Sequence, residues 1–203
     1  MTSVKKNISK TPLLTKEGSG VVSRKILLQN LRIYWNENNV PNITDENADF
    51  LTKLLQEKQV KNLLEIGTAN GYSAIVFWDV LEKIGGSMLS IDFSAKSHGL
   101  AIQNIADAGL DDTVELVLAN ALEFLPTLKE SYDFVFIDGM KRRTLDFLQL
   151  VWDKVPVWGT IVVDDVIKFR EKMVWFYEYV EEQNMNYEVL KIDSDDGIMI
   201  IRK

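Results

Sequence analysis

From residue 62 onward the chain alternates in a pattern that few folds accommodate. Short apolar runs, "NLLEIG" (62–67), "SMLSID" (87–92), "TVELVL" (113–118), "YDFVFID" (132–138) and "GTIVVDD" (159–165), are separated by longer stretches with helical spacing near 71–84, 94–108, 120–129, 141–154 and 167–184. Runs rich in Val, Ile and Phe that are apolar on both faces predict parallel strands covered by helices on both sides, because a strand with one wet face would alternate. Ser94 stands at an N-cap position and Gly109 at a C′ position, which supports the boundaries of the helix between them. The end reads differently: "YEVLKI" (187–192), "DSDDG" and "IMIIRK" (198–203) form a hairpin pattern. The expected architecture is α/β, a doubly wound, mostly parallel seven-stranded sheet closed by an antiparallel hairpin.

Ahead of this region, apolar residues recur at helical spacing from Ser19 to Asn38, namely Val22, Ile26, Leu27, Leu31, Tyr34 and Trp35. "VPN" at 40–42 interrupts them, and a second helix is expected from Thr44, with Asp45 and Glu46 in its first turn, to Lys58. Residues 1–18 read as a flexible polar tail. Residues 19–203 read as a single domain, with N-terminal helices over 19–58 and the α/β core over 59–203.

Composition removes several chemistries. The 203 residues contain no cysteine, which excludes disulfides, a thiol nucleophile and a thiolate zinc site. His98 is the one histidine, so any metal must be a hard cation bound by oxygen, in the class of Mg²⁺, Mn²⁺ or Ca²⁺. A net charge of -7 disfavours non-specific nucleic-acid binding. No signal-peptide pattern and no apolar run approaching ~18 residues is present, so a soluble cytoplasmic protein without membrane contact is expected.

The candidate site begins at "EIGTANGYSA" (65–74), between the first strand and its helix. In a doubly wound sheet this turn lies where ligands bind, and Gly67 and Gly71 would let backbone approach one closely. The pattern is E-x-G-x-A-x-G, with Ala69 at the position where a dinucleotide motif needs glycine. Glu65 would repel a pyrophosphate. Asp92 ends the second strand and suits two ribose hydroxyls. An adenosine ligand without phosphates fits this set: S-adenosylmethionine. At the same sheet edge "FIDGMK" places Asp138 and Lys141, and "VVDDV" places Asp164 and Asp165. Three carboxylates converging without histidine or cysteine make a hard-cation site.

These stretches resemble the cation-dependent O-methyltransferases of the catechol and caffeoyl-CoA type, from about Gln29 to the C-terminus. "EIGTANGYSA" is similar to that family's cofactor loop, "FIDGMK" to its D-x-x-K element and "VVDDV" to its second metal element. "NNVPNITDENADFLTKLL" and "SIDFSAKSHGLAIQNIADAGLDD" are most similar to the bacterial branch, which includes tRNA 5-hydroxyuridine methyltransferases. The resemblance implies a Rossmann-like methyltransferase fold and homodimers. It implies that Asp138, Asp164 and Asp165 hold Mg²⁺, or Mn²⁺ or Ca²⁺, and that Lys141 is the base, its pKa lowered beside the metal, with Asp138 in the catalytic pair. The implied cofactor set is Glu65, Gly67, Thr68, Gly71, Ser73, Asp92, Phe93, Asn120, Ala121 and Asp138, with Ser73 on the methionine carboxylate and Glu65 at the methionine end.

Three departures from the family pattern shape the expectations. Asp165 stands where the family usually has Asn. "VIKFREKMVWFYEYV" is expected to enter a helix directly, leaving the acceptor site open. Met140 and Thr144 replace residues that are often aromatic. Two basic stretches, "KRR" (141–143) and "KFREK" (168–172), are expected to flank the site, and "KK" at 5–6 with Lys10 and Lys16 forms a third. A basic rim on an acidic protein selects an anionic partner. The expected acceptor is therefore a hydroxyl on a small phenolic, catechol-like or anionic molecule. A tRNA wobble 5-hydroxyuridine is an alternative, and a non-catalytic S-adenosylmethionine-binding module is the reading from another class. His98 is expected to be non-catalytic. The tryptophans and the Phe176, Tyr177 and Tyr179 group are expected to pack a core or a dimer face.

Overall fold

The computed structural model describes residues 23–38, 42–194 and 196–203. The expected tail over 1–18, the first turn of the helix from Ser19, most of the "VPN" interruption, the lysines at 5, 6, 10 and 16, and Asp195 of the hairpin turn lie outside those residues.

Helix α1 (Arg24–Asn38) and helix α2 (Asp45–Lys58) precede the sheet. Thr44 caps α2 by accepting from Asn47 N, and Asp45 and Glu46 in the first turn favour the helix dipole. Then strands and helices alternate as the apolar runs require: β1 (Asn62–Ile66), α3 (Tyr72–Ile84), β2 (Ser87–Asp92), α4 (Ala95–Asp107), β3 (Val114–Leu118), α5 (Ala121–Phe124), β4 (Phe134–Ile137), α6 (Thr144–Trp152), β5 (Thr160–Val163), α7 (Val174–Glu182), β6 (Asn186–Leu190) and β7 (Ile198–Arg202). Ser94 caps α4 through Ser97 N, and Gly109 follows it at φ +70°. No described helix is long and apolar enough to cross a membrane.

One seven-stranded sheet results, in the order β3-β2-β1-β4-β5-β7-β6. β1 to β5 are mutually parallel, and β7 inserts antiparallel between β5 and β6. Alternate side chains enter two cores, one on each face. Leu63, Phe134, Phe136, Val162 and Ile200 join the core under α1, α2 and α3, while Leu64, Val135, Ile137, Val163 and Ile201 join the core under α6 and α7. This two-sided burial is why the parallel runs carry so few polar residues.

The helical pattern after β5 does not start at once, contrary to expectation. Residues 166–169 form an irregular segment, a 3₁₀ turn spans Arg170–Lys172, and α7 begins only at Val174. Asp196 fixes this segment by accepting from Ile167 N (2.8 Å) and Lys168 N (2.9 Å), which diverts the backbone from helical pairing. The connection therefore contributes Lys168, Phe169 and Lys172 to the lining of a cavity at the sheet edge. The pattern over 141–154 likewise splits into a 3₁₀ turn, Lys141–Arg143, and α6.

Candidate active site

The chain leaves β1 and passes back against β4. Gly67 has φ +115°, and a Cβ there would lie 2.5 Å from the Asp138 carbonyl oxygen, so the glycine is required by the neighbouring strand. Gly71 (φ +84°) heads α3 in a left-handed conformation, and a Cβ there would meet Ala101 and Ile105 of α4 at ordinary contact distances. Between them, Ala69 also takes a positive φ, 48°, and donates its N–H to Asp92 Oδ2 at 2.8 Å. The other Asp92 oxygen accepts from Ser94 N at 2.7 Å. Asp92 thereby joins the β1 loop to the start of α4.

A cavity opens between these loops at the C-terminal ends of β1, β2 and β4. Of the predicted cofactor residues, Gly67, Asp92, Phe93, Asn120, Ala121 and Asp138 line it, together with Ile66, Ala69, Ile91, Ala119, Gly139, Met140 and Phe147. Asn120 is held as the N-cap of α5, accepting from Leu122 N and donating to Glu123. Phe93 exposes its ring beside this cavity.

Glu65, Thr68, Gly71 and Ser73 do not line it. Glu65 is wholly buried in the sheet, and its two oxygens accept hydrogen bonds from Ser73 and Ser90. Thr68 Oγ1 pairs with Ser90 Oγ at 2.6 Å. Ser73, expected at a cofactor carboxylate, instead spends its hydroxyl proton on Glu65. Burial pushes the Glu65 carboxyl up to about 7, against the two serine hydrogen bonds that pull it down. Ser90 was not anticipated. Its signal lies in register: it is the polar position of β2 that sits directly opposite Glu65 of β1.

On the other side of Asp138 the carboxylates gather. Lys141 Nζ donates to Asp138 Oδ1 at 2.7 Å and to the Asp164 carbonyl at 3.2 Å, and pairs with Asp165 Oδ2 at 3.1 Å. Burial alone would lower the Lys141 pKa, but the Asp138, Asp165 and Asp164 carboxylates outweigh it and hold the ammonium above its ordinary value. The lowering expected for Lys141 belongs to a site whose carboxylate charge is compensated by a cation. Burial, then Asp138, raises Asp164 well above the usual carboxylate range. Burial also raises Asp165, against the pull of Lys141. Three carboxylates exceed one ammonium, which leaves the cluster with an excess of acidic groups.

Among the described residues, no group of three or more His, Cys, Asp and Glu side chains is arranged to hold a metal ion. The lysine ammonium stands where a cation would balance the carboxylates. The donors nonetheless fit a hard divalent cation, since they are all oxygen and Asp164 Oδ1 is buried with no hydrogen-bond partner.

A larger cavity of about 730 Å³ adjoins the first and shares Ala69, Asp138, Gly139 and Met140 with it. Asp138, Asp164, Asp165 and Asp196 give it an acidic floor. Arg142, Arg143, Lys168 and Lys172 line it from both basic stretches, and Trp35 and Phe169 add aromatic walls. Arg170 turns away and stacks on Tyr177 at 3.9 Å. Trp35 was expected in a core or a dimer face. It lies in this wall with the Arg32 guanidinium 4.8 Å from its ring. Trp78, Phe176 and Tyr177 are buried as expected, whereas Trp158 and Trp175 are 64% and 74% exposed. His98 lines neither cavity.

Comparison with known proteins accords with this geometry. Residues 64–166 match the family described as a methyltransferase domain. A catechol O-methyltransferase of Niastella koreensis is 32% identical over 130 residues, covering 62% of this chain. That alignment spans little more than half of the relative, 58% of its length. Caffeoyl-CoA O-methyltransferase 2 of Petunia hybrida is 26% identical over 188 residues, 81% of this chain and 77% of the relative. Among solved structures, the O-methyltransferase from Bacillus cereus in complex with SAH superposes with a TM-score of 0.76 at 26% identity, covering 94% of each chain.

Proposed function

Because the chain belongs to the methyltransferase-domain family, we propose that it is a divalent-cation-dependent O-methyltransferase that moves the methyl group of S-adenosylmethionine to a hydroxyl of a small, catechol-like acceptor bearing an anionic substituent. One observation carries this reading. Two cavities meet at Ala69, Asp138, Gly139 and Met140, and Asp138 joins that junction to Lys141, Asp164 and Asp165, which line the larger cavity. A donor in one and an acceptor in the other would be in contact there and nowhere else.

The sulfonium methyl is already activated, so the protein's work is in-line placement and control of the hydroxyl proton. In the first cavity Asp92 has its carboxylate pre-set by two backbone amides, leaving lone pairs for ribose hydroxyls, and the exposed Phe93 ring offers a face to a purine. Asp138, Asp164 and Asp165 would hold the cation. Bound there, Mg²⁺ or Mn²⁺ supplies positive charge that lowers the acceptor hydroxyl's pKa. Compensating the carboxylate charge would lower the Lys141 pKa, so that the ammonium first releases a proton to solvent and the neutral amine then accepts the acceptor hydroxyl's proton. Its hydrogen bonds to Asp138 and to the Asp164 carbonyl fix Nζ at the junction. The exposed Arg142, Arg143, Lys168 and Lys172 favour an anionic group at the mouth.

The test is methyl transfer from labelled S-adenosylmethionine to catechol and to 3,4-dihydroxybenzoate. Transfer that EDTA abolishes and Mg²⁺ or Mn²⁺ restores is expected. Transfer indifferent to EDTA would remove the cation. Tight cofactor binding without transfer to any hydroxyl would leave a binding module.

A further inference from the structure

The acceptor cavity holds a second set of polar groups, away from the carboxylate–lysine cluster. Asn47 is 3% exposed, lies in the first turn of α2 and lines the cavity. Among the described residues its Oδ1 is buried without a hydrogen-bond partner. Asp196, also 3% exposed and lining the cavity, spends Oδ1 on Ile167 N, Lys168 N and Gly197 N, and its Oδ2 is likewise unpartnered. Asn42, on the same wall, has an unpartnered buried Nδ2. These residues come from distant parts of the chain, yet a short hydrogen-bond relay joins two of them. Asp196 N donates to Asp193 Oδ1, Thr44 Oγ1 donates to Asp193 Oδ2, and Asn47 N donates to Thr44 Oγ1. The first turn of α2 and the β6–β7 loop thus form one continuous wall.

A buried polar atom without a partner costs free energy, and three in the lining of one cavity are satisfied by ordered water or, with that water displaced, by a ligand. Their chemistry specifies it: two oxygens require N–H or O–H donors, and the asparagine amide N–H requires an acceptor such as a carbonyl. We propose that Asn47, Asp196 and Asn42 form a specificity subsite that reads a carboxamide-type edge, acyclic or within a ring, on the methyl acceptor. The inference rests on the acceptor-cavity reading above. The rim cations do not select for this group, because an amide is neutral. The subsite discriminates as buried polar sites do: an acceptor lacking the amide leaves Asn47 and Asp196 unpaired.

Calorimetric titration of the SAH-loaded protein in MgCl₂ with catechol and with 3,4-dihydroxybenzamide tests this without turnover. The amide is expected to bind at least roughly five-fold tighter than catechol, as one or two net hydrogen bonds give. Asn47→Ala brings that ratio to about one. Asp196→Asn keeps an oxygen for the three backbone N–H groups but turns the second position into a donor, and it lowers the ratio as well. SAH affinity equal to that of the unsubstituted chain shows that each variant is folded. Equal affinity for both compounds, or a preference that survives Asn47→Ala, overturns the subsite. If SAH binds and neither compound does, the catechol-type acceptor falls first and the subsite with it.

Discussion

Gly67 shows how one side chain's absence can hold a site together. Its positive φ and the 2.5 Å approach of the Asp138 carbonyl to any added Cβ mean that alanine must displace the β4 end. Gly67→Ala is expected to cost about 2–4 kcal/mol, from strain and overpacking, read as a lower urea midpoint. S-adenosylmethionine binding should weaken in parallel, since Asp138 and Ala69 both move.

Glu65 gives a residue-scale dependence on pH. Its folded-state pKa, about 7, lies above the ordinary 4.5, because burial disfavours the charge. A raised carboxyl contributes its stability in full below the unfolded value, and that contribution is lost as pH rises through the folded value. Over that window the loss is about 3 kcal/mol at most. Unfolding free energy, measured in urea from pH 5 to 8, should therefore decline with pH. Glu65→Gln, which retains an acceptor for Ser73 or Ser90, should flatten that decline.

At the scale of elements, the segment between β5 and α7 decides the shape of the acceptor cavity. Asp196 holds Ile167 N and Lys168 N, and this anchor keeps Lys168, Phe169 and Lys172 on the cavity wall. Asp196→Ala is expected to raise amide hydrogen exchange at Ile167 and Lys168 by roughly ten-fold or more, as two hydrogen bonds to a charged acceptor are lost. The basic rim makes its own prediction. For 3,4-dihydroxybenzoate, the KM should rise with ionic strength, and Arg142→Ala with Lys172→Ala should raise it about three- to ten-fold at low salt, while neutral catechol changes little.

For the whole molecule, the carboxylate excess at the sheet edge would couple the proposed cation binding to folding. Three acidic side chains and one ammonium leave a repulsion that a divalent cation removes. At ~100 times its dissociation constant, Mn²⁺ or Mg²⁺ should stabilise by about 2.7 kcal/mol, raising the thermal midpoint by roughly 5–10 °C, and EDTA should reverse it. Asp164→Asn should abolish the shift. It should also raise the midpoint in EDTA, because it removes the buried carboxyl that resists ionisation.

What the linear chain determined by itself was the layered sheet and the edge on which its chemistry lies. Apolar runs without polar alternation can only be buried strands, and aspartates at their C-terminal ends converge once neighbouring strands are parallel. The glycine turn after β1, the Asp138–Lys141 element and the Asp164–Asp165 pair were legible because each is local, a few residues at fixed spacing. The tertiary structure decided everything that depends on partners distant in sequence. It withdrew Glu65 and Ser73 from the cavity, because Ser90 comes opposite Glu65 in the sheet. It paired the Lys141 ammonium with Asp138 and Asp165, because the ends of two neighbouring strands bring their carboxylates to one buried amine. It bent the chain after β5 away from a helix, because a carboxylate from the β6–β7 loop captured its backbone amides. Periodicity records which face of an element is buried, but a side chain's charge and partners are set by whatever the fold places against it.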